Sequence, residues 1–348
     1  MTPISRRSLG AISAATALGL ALSACGGNAQ TGANQTGENA DGAAGSNGSD
    51  AGGSGEAGTV EVEDNNGTHT VQVPPTSVVA TDNRTFETLE AWGVTLTAAA
   101  RTLMPSTNSY KDDESIIDLG SHREPNLEAV VAAEPTLIIN GQRFAEFHED
   151  FEKLAPDAVI LELDPRDGEP VAEELKRQTT VLGSIFGKET EAEQLGTDLD
   201  AAMERITAAY NGSDTVMAVN VSGGEIGYIA PGQGRTLGWT FDAFDFVPAL
   251  EVDGASDDHQ GDDISVEAIA DSNPTWILVM DRDAAVSADD PAYEPAAEVL
   301  EASEALAGVT AVAEGNIVYM PADTYTNEGI QTYTEFFGTL ADALEKKA

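Results

Sequence analysis

Apolar residues in this chain gather in short runs, and one of those runs recurs together with its whole preface. Ser265-Val266-Glu267-Ala268-Ile269-Ala270-Asp271-Ser272-Asn273-Pro274-Thr275 leads into the apolar run Trp276 to Met280 and then Asp281-Arg282. Leu127-Glu128-Ala129 through Pro135-Thr136, the run Leu137-Ile138-Ile139 and Asn140-Gly141-Gln142-Arg143 fall into register with it without a gap. In each copy a Glu opens a short helix, Pro-Thr closes it, a strand follows, and an Arg stands just past the strand. Proline cannot continue a helix and drives the residue before it out of the right-handed helical region, so Glu134 and Asn273 are the expected boundaries. Short apolar runs rich in β-branched and aromatic residues predict strands covered on both faces, the environment of a parallel sheet. In open α/β sheets ligands lie beyond the carboxyl ends of the strands. Arg143 and Arg282 occupy that edge, one per copy, which points to a cleft between two related lobes that receives an anion.

Around the repeat, alternating strand and helix patterns with short connections predict an α/β architecture. Val60 to Val73 alternates on either side of Asn66-Gly67 and reads as a hairpin. Ser77 to Ala80 is a strand ending at Thr81-Asp82-Asn83-Arg84, Thr85 to Trp92 a helix, Val94 to Ala99 a strand, and Ser115 to Leu119 a short extended piece. After the first copy come a helix from Phe147 to Leu154 and a strand from Ala158 to Leu163. Helical spacing is clearest in Val171 to Phe186 and Lys188 to Tyr210, where Leu195, Leu199, Met203 and Ile206 share one face. About 20 residues of helix span about 30 Å, the width of a small domain, so this segment is the expected stiff link. Beyond it are strands at Thr215 to Val221 and Glu225 to Ile229, a helix at Thr236 to Phe246, and an acidic loop from Ala255 to Asp263 holding His259. The second copy, a helix from Pro295 to Leu306, a strand from Ile317 to Met320, a loop from Pro321 to Gly329 and a closing helix complete the chain. The expected division is a lobe over residues 59–187, a linking helix over 188–210 and a lobe over 211–348.

The N-terminus departs from this grammar. Arg6-Arg7, an apolar core from Leu9 to Leu22 and Leu22-Ser23-Ala24-Cys25 read as a targeting segment over residues 1–24, too short for a comfortable membrane span. Ser5-Arg6-Arg7-Ser8-Leu9 is compatible with twin-arginine export. Residues 25–58 are Gly, Ala, Ser, Asn and Thr with scattered acids, the composition of a flexible tether. Such a tether has an r.m.s. reach of about 30 Å.

Charge narrows the partners. Lys and Arg total 17 against 60 Asp and Glu, a formal net charge of −43, which disfavours nucleic acid and electrostatic adhesion to an anionic membrane. Against that field an anionic ligand needs local basic compensation. Cys25 is the one cysteine, so no intramolecular disulfide forms. His69, His122, His148 and His259 are far apart in sequence, which disfavours a dedicated zinc or manganese site. There is no Gly-x-Ser-x-Gly elbow and no His-Glu-x-x-His pair. Gly183 to Glu189 is one residue short of a phosphate-binding loop and lacks its hydroxyl. No enzyme is expected.

Taken together, these segments resemble the substrate-binding lipoproteins of bacterial iron-siderophore ABC importers, in particular those that take ferric catecholates. Asn126-Leu127-Glu128 to Gly141-Gln142-Arg143 resembles that family's first-lobe signature, and Pro231-Gly232-Gln233-Gly234-Arg235 its second-lobe loop. Asp281-Arg282-Asp283 is similar to its strand-end pair. His259 with Gly261 and Ile264-Ser265 resembles its His-Gly loop, with one extra residue between the His and the Ile here. Tyr319 to Gly329 resembles the late segment that supplies a Tyr, read as Tyr325. Leu22-Ser23-Ala24-Cys25 resembles a lipobox, with Cys25 the acylated first residue of the mature chain.

The resemblance implies the helical-backbone type of periplasmic binding protein: two similar α/β lobes, each a central sheet flanked by helices, joined by a single long helix. It implies a lipid-anchored monomer on the extracytoplasmic face of the cell membrane that hands a ferric siderophore to permease subunits, with surface carboxylates docking on permease arginines. It has no intrinsic cofactor. The expected ligand contacts are Arg143, Arg235, Arg282, His259 and Tyr325, with Arg84 in reserve. His259 and Tyr325 are possible iron ligands when a siderophore offers four donor atoms. A tris-catecholate chelate carries three negative charges, which planar guanidinium forks answer better than Lys. Tyr228, Trp239 and Tyr325 are candidate rings for packing on catechol edges. A haem or cobalamin receptor of the same fold, or a surface-displayed structural or adhesive protein, remains the alternative. Taken one at a time, an Arg in so acidic a chain is ordinarily a surface partner of a carboxylate.

Overall fold

Both copies of the repeat form the helix and buried strand that their sequence predicts. The computed structural model describes residues 58–347; the targeting segment, Cys25 and nearly all of the expected tether lie outside the described residues. The hairpin is β1 (Gly58–Glu63) and β2 (Thr68–Val73), paired antiparallel. There follow β3 (Val78–Ala80), α1 (Phe86–Ala91), β4 (Ala98–Ala99), β5 (Ile117–Asp118), the small ribbon β6 (Gly120–Ser121) and β7 (Glu124–Pro125), α2 (Glu128–Ala133), β8 (Leu137–Asn140), α3 (His148–Leu154) and β9 (Val159–Glu162). The first sheet has the order β5-β4-β3-β8-β9 with every pair parallel.

Two long helices come next, α4 (Val171–Phe186) and α5 (Glu189–Ala209). The second lobe contains β10 (Thr215–Ser222), β11 (Glu225–Ile229), α6 (Trp239–Phe244), β12 (Val247–Pro248), β13 (Asp262–Asp263), α7 (Val266–Ser272), β14 (Trp276–Asp281), α8 (Arg282–Val286), α9 (Ala296–Ala302), α10 (Thr310–Glu314), β15 (Ile317–Tyr319) and α11 (Ile330–Glu345). Its sheet runs β13-β11-β10-β14-β15, with β12 also against β10, and β14 lies parallel to both β10 and β15. The repeat strands β8 and β14 thus hold the same interior place in the two sheets, and the apolar residues of both are fully buried.

Local differences from the sequence reading have local causes. Glu134 and Asn273 leave the helix in the left-handed region, both at φ 44°, rather than extended. Each amide still closes its helix, Glu134 N on Val131 O at 3.3 Å and Asn273 N on Ile269 O at 3.2 Å. The strand expected from Val94 shrinks to β4 because Val94 N is bonded to Leu89 O at 2.9 Å, finishing α1. The helix expected from Thr236 starts at Trp239, since Thr236 itself sits at φ 68°.

The first core lies around Val79, Leu137, Ile138, Ile139, Phe144 and Phe151. In the second lobe, one face of the sheet packs on Leu199 and Ile206 of α5 and Phe336, Phe337 and Leu340 of α11, and the other on Ile269, Leu300 and Leu306. The helix that serves both lobes is α4 rather than the segment expected over 188–210: Leu182 and Ile185 belong to the first core and Ala172 and Leu175 to the second, whereas Leu199, Ala202 and Ile206 of α5 pack in the second alone. Helix α5 runs back along α4 with close approach at one point, where a Cβ added to Gly183 would stand 2.7 Å from the Cβ of Ala192. Mid-helix Gly→Ala on propensity alone stabilises by about 1 kcal/mol, whereas overpacking costs about 1–3 kcal/mol. The backbone-bound Ala192 methyl cannot swing aside, so Gly183→Ala is expected to lower the thermal unfolding midpoint measured by circular dichroism. A rise would show that α4 and α5 are free to separate.

Candidate ligand-binding site

The order of each sheet fixes where its crevice opens. In the first, the chain leaves β3 toward β4 and β5 on one side, and leaves β8 toward β9 on the other. In the second, β11 lies beyond β10 and β15 beyond β14. Such reversals of strand order open a crevice at the carboxyl ends of the paired central strands. Arg84 follows β3, Arg143 follows β8, Ser222 ends β10, and Arg282 follows β14. Asp281 caps the turn into α8 by accepting from Ala284 N at 3.0 Å, and this aims Arg282 from a helix start. Arg235 comes from the loop between β11 and α6, and Tyr325 from the tight turn Thr324–Thr326 ahead of α11.

These side chains meet on one ring. The Cζ atoms of Arg143, Arg235 and Arg282 lie 5.0, 5.5 and 4.8 Å from the centroid of Tyr325. Tyr325 is 8 % exposed. Arg143 also reaches the backbone oxygen of Tyr325, with Nη2 at 3.4 Å. Its Nη1 and the Nε of Arg282 are buried donors with no partner among the described residues. Arg143 has no carboxylate within 4.0 Å among the described residues, while Arg282 Nη1 pairs with Asp283 at 2.9 Å and with Ser222 Oγ at 3.3 Å. Burial would raise the Tyr325 phenol, but Arg282 and Arg143 outweigh it and bring it below its ordinary value. The His259 ring lies 6.5 Å from that of Tyr325, and its backbone oxygen is held by Asn220 Nδ2 at 3.1 Å. His122 also borders the site: burial and the charges of Arg143 and Arg123 hold its imidazole below the usual range. A cavity of about 390 Å³ is lined by Arg84, Gln142, Arg143, Asp164, Pro165 and Arg235.

Two expectations fail here. Tyr228 is buried with its hydroxyl donating to Leu250 O at 2.7 Å. Trp239 packs edge-on against Tyr333 and Phe337 at 5.2 and 5.6 Å. Neither ring joins the arginine cluster: Tyr228 is buried on β11, and Trp239 is half-buried against α11 and borders a separate cavity with Pro165 and Asp242. Arg84 is at the site but engaged, with Nη1 2.7 Å from Asp164 and Nη2 3.7 Å from Glu328.

Glu328, missed in the sequence, joins the lobes. It is 3 % exposed and lies 3.2 Å from Arg235 Nη2; Gln142 Nε2 donates to the same oxygen at 3.0 Å and the Thr236 hydroxyl to the other. Burial opposes its ionisation, but Arg235, Arg84 and the Thr236 hydroxyl hold its carboxyl at about 2. Its neighbours bind the first lobe too: Thr326 O accepts from Asn83 at 3.0 Å, Asn327 donates to Glu87 at 2.8 Å, and Gln331 accepts from Thr88 at 2.9 Å. Behind Arg84 lies Asp82, which accepts from Arg84 N and Gln178 Nε2 at 2.9 and 2.8 Å. Burial, then the charge of Asp164, push the Asp82 carboxyl up to about 7. Gly141 makes room for this pair, since a Cβ there would stand 2.9 Å from Asp82 and 3.1 Å from Asp164.

Comparison with known proteins places the fold in a family. A family model described as periplasmic binding protein matches residues 78–324. The chain belongs to the periplasmic binding protein family. It is similar to petrobactin-binding protein YclQ of Bacillus subtilis, 28 % identical over 290 residues that cover 81 % of this chain and 86 % of that one. It is likewise similar to ferric-anguibactin-binding protein FatB of Vibrio anguillarum, 28 % identical over 269 residues covering 76 % and 81 %. The crystal structure of YclQ superposes with a TM-score of 0.68, and that of BauB bound to ferric iron and two molecules of acinetobactin with 0.69 at 24 % identity, covering 83 % of this chain and 98 % of that one. These relatives are binding proteins, not enzymes. Among the described residues, no group of three His, Cys, Asp or Glu side chains is placed to hold a metal ion by itself.

The two carboxyls make opposite demands on pH. Asp82 keeps its proton longer when folded, so its contribution falls as pH rises from about 4 toward about 7. Glu328 loses its proton more readily when folded, so its contribution is present above the ordinary Glu value of 4.5 and is lost as pH falls toward about 2. Asp82→Asn is therefore expected to raise the unfolding midpoint relative to the native chain increasingly between pH 4 and 7. A difference that stays flat across that range would contradict the burial of an ionising Asp82.

Proposed function

We propose that this member of the periplasmic binding protein family captures a ferric siderophore of catecholate type in the cleft around Tyr325 and presents it to an ABC permease in the membrane. The observation that carries this is the meeting of Arg143, Arg235 and Arg282 on one buried phenol ring, with donors on Arg143 and Arg282 left without partners. Converging guanidiniums with spare donors call for a ligand that brings several acceptor oxygens and negative charge. Catecholate oxygens around ferric iron meet that demand, and the petrobactin and ferric-anguibactin bound by YclQ and FatB support an iron chelate. Tyr325 and His259 are phenol and imidazole, both competent toward ferric iron, and their ring centroids lie 6.5 Å apart. The protein itself breaks and makes no covalent bond in this role. Acylation of Cys25, attachment to the extracytoplasmic face and action as a monomer belong to the same proposal.

Titration of the full-length protein with ferric catecholates, followed by quenching of tryptophan fluorescence, tests it. A saturable response is expected, with Arg143→Ala or Arg282→Ala weakening affinity at least about tenfold, in keeping with charge-assisted bonds worth about 1.5–3 kcal/mol. Arg205→Ala, which removes an exposed pairing with Asp342 and Glu345, is expected to leave affinity unchanged. A response to haem or cobalamin with none to catecholates would replace this reading with a tetrapyrrole receptor. No saturable ligand at all would favour a structural surface protein.

A further inference from the structure

The cleft contains its own anions. Arg84 and Arg235 approach from different lobes and share Glu328, at 3.7 and 3.2 Å, and Arg84 holds Asp164 as well. Arg282 has Asp283, and Arg143 has no carboxylate within 4.0 Å among the described residues. Asp82 behind Arg84 keeps its proton below about pH 7, so there four guanidinium charges face the three carboxylates Glu328, Asp164 and Asp283, and the balance is a single positive charge lodged near Arg143.

The arrangement that holds Glu328 is built for it. Gln142 and Thr236, the residues next to Arg143 and Arg235, both sit in the left-handed backbone region, at φ 54° and 68°. That conformation costs a side-chain-bearing residue about 1–3 kcal/mol and persists only where the surroundings enforce it. Here both residues turn their polar ends onto the Glu328 carboxylate, Gln142 Nε2 at 3.0 Å and the Thr236 hydroxyl on the other oxygen. A buried carboxylate that merely filled space would not need two such turns, each beside a cleft arginine.

We propose that Glu328 is a specificity-determining residue that sets the charge of the chelate the cleft accepts, matching it to ferric complexes of about one net negative charge rather than three. Ferric iron carries three positive charges and each catecholate two negative ones. Two catecholates therefore leave a complex of charge −1, and three leave −3. With Glu328 ionised, Arg84 and Arg235 are already balanced, so a trianionic complex meets one free positive charge inside a protein of formal net charge −43. Removing the Glu328 charge releases a second cation at the same place and rewards the more highly charged ligand. Charge preference is thereby separated from ring stacking, which Tyr325 supplies in either case.

This inference rests on the proposed siderophore reading, and the experiment separates the two. Affinities of the full-length protein for a ferric bis-catecholate and a ferric tris-catecholate are measured at one ionic strength and below pH 7 for the native chain, Glu328→Gln and Arg205→Ala. The native chain is expected to favour the singly charged complex. Glu328→Gln is expected to shift the ratio of affinities toward the triply charged complex by about tenfold or more. Arg205→Ala, which removes an exposed cation paired with Asp342 and Glu345 away from the cleft, is expected to leave the ratio within about twofold. A native preference for the trianion, or a ratio unmoved in Glu328→Gln, overturns the role of Glu328. Should Glu328→Gln fail to fold, the native preference alone decides. Absence of binding to either complex by the native chain instead sinks the siderophore reading itself.

Discussion

Three guanidinium groups share one phenol ring, and the rest of the cleft is arranged around that crowding. Each cation over the face of Tyr325 gains about 0.5–2 kcal/mol, but three like charges within a few ångströms of one another repel, more strongly as water is excluded. The arrangement is tolerable because Asp283 takes part of the charge of Arg282 and Glu328 part of that of Arg235. What remains is a positive potential at Arg143 and two buried donors, Nη1 of Arg143 and Nε of Arg282, without partners among the described residues. An isolated apolar pocket would select by shape; in the proposed role this one selects first by charge.

The same contacts hold the lobes together. Glu328 belongs by sequence to the second lobe, but its carboxylate is gripped by Arg84 and Gln142 from the first. Burying an ion pair is costly unless every lone pair finds a partner, and Glu328 meets that condition with two guanidiniums, an amide and a hydroxyl. Breaking it by removing one partner leaves an uncompensated buried charge. The segment around it continues the seam through Asn83, Thr88 and Glu87, and helix α4 contributes to both cores. A receptor organised this way is stiff between its halves and presents a fixed constellation to its ligand, with little room for wide hinge closure.

Much of this was legible in the sequence because it is written in repeated local grammar. The helix, the proline stop and the apolar strand specify β8 and β14, and the residue just past each is then placed at a crevice by topology alone. That is why Arg143 and Arg282 are identifiable before any coordinates. Arg235 and Tyr325 came from resemblance, since a loop has no periodicity to read. Glu328 had no signal: one carboxylate among 60 Asp and Glu, its burial created by partners 92 to 244 positions away. Tyr228 and Trp239 were read as ligand surfaces for the converse reason, as an aromatic beside a binding loop looks the same whether it faces the cleft or the core.

The account stands or falls on where iron comes to rest. Anomalous scattering at the iron edge, recorded from crystals of the protein grown with a ferric catecholate, locates the metal without assumption about the ligand. One strong peak is expected beside the Tyr325 ring, within ligand reach of Arg143, Arg235 and Arg282. Iron found instead in the acidic hollow formed by Asp258, Asp262 and Asp263, or no bound iron at saturating chelate, would contradict it.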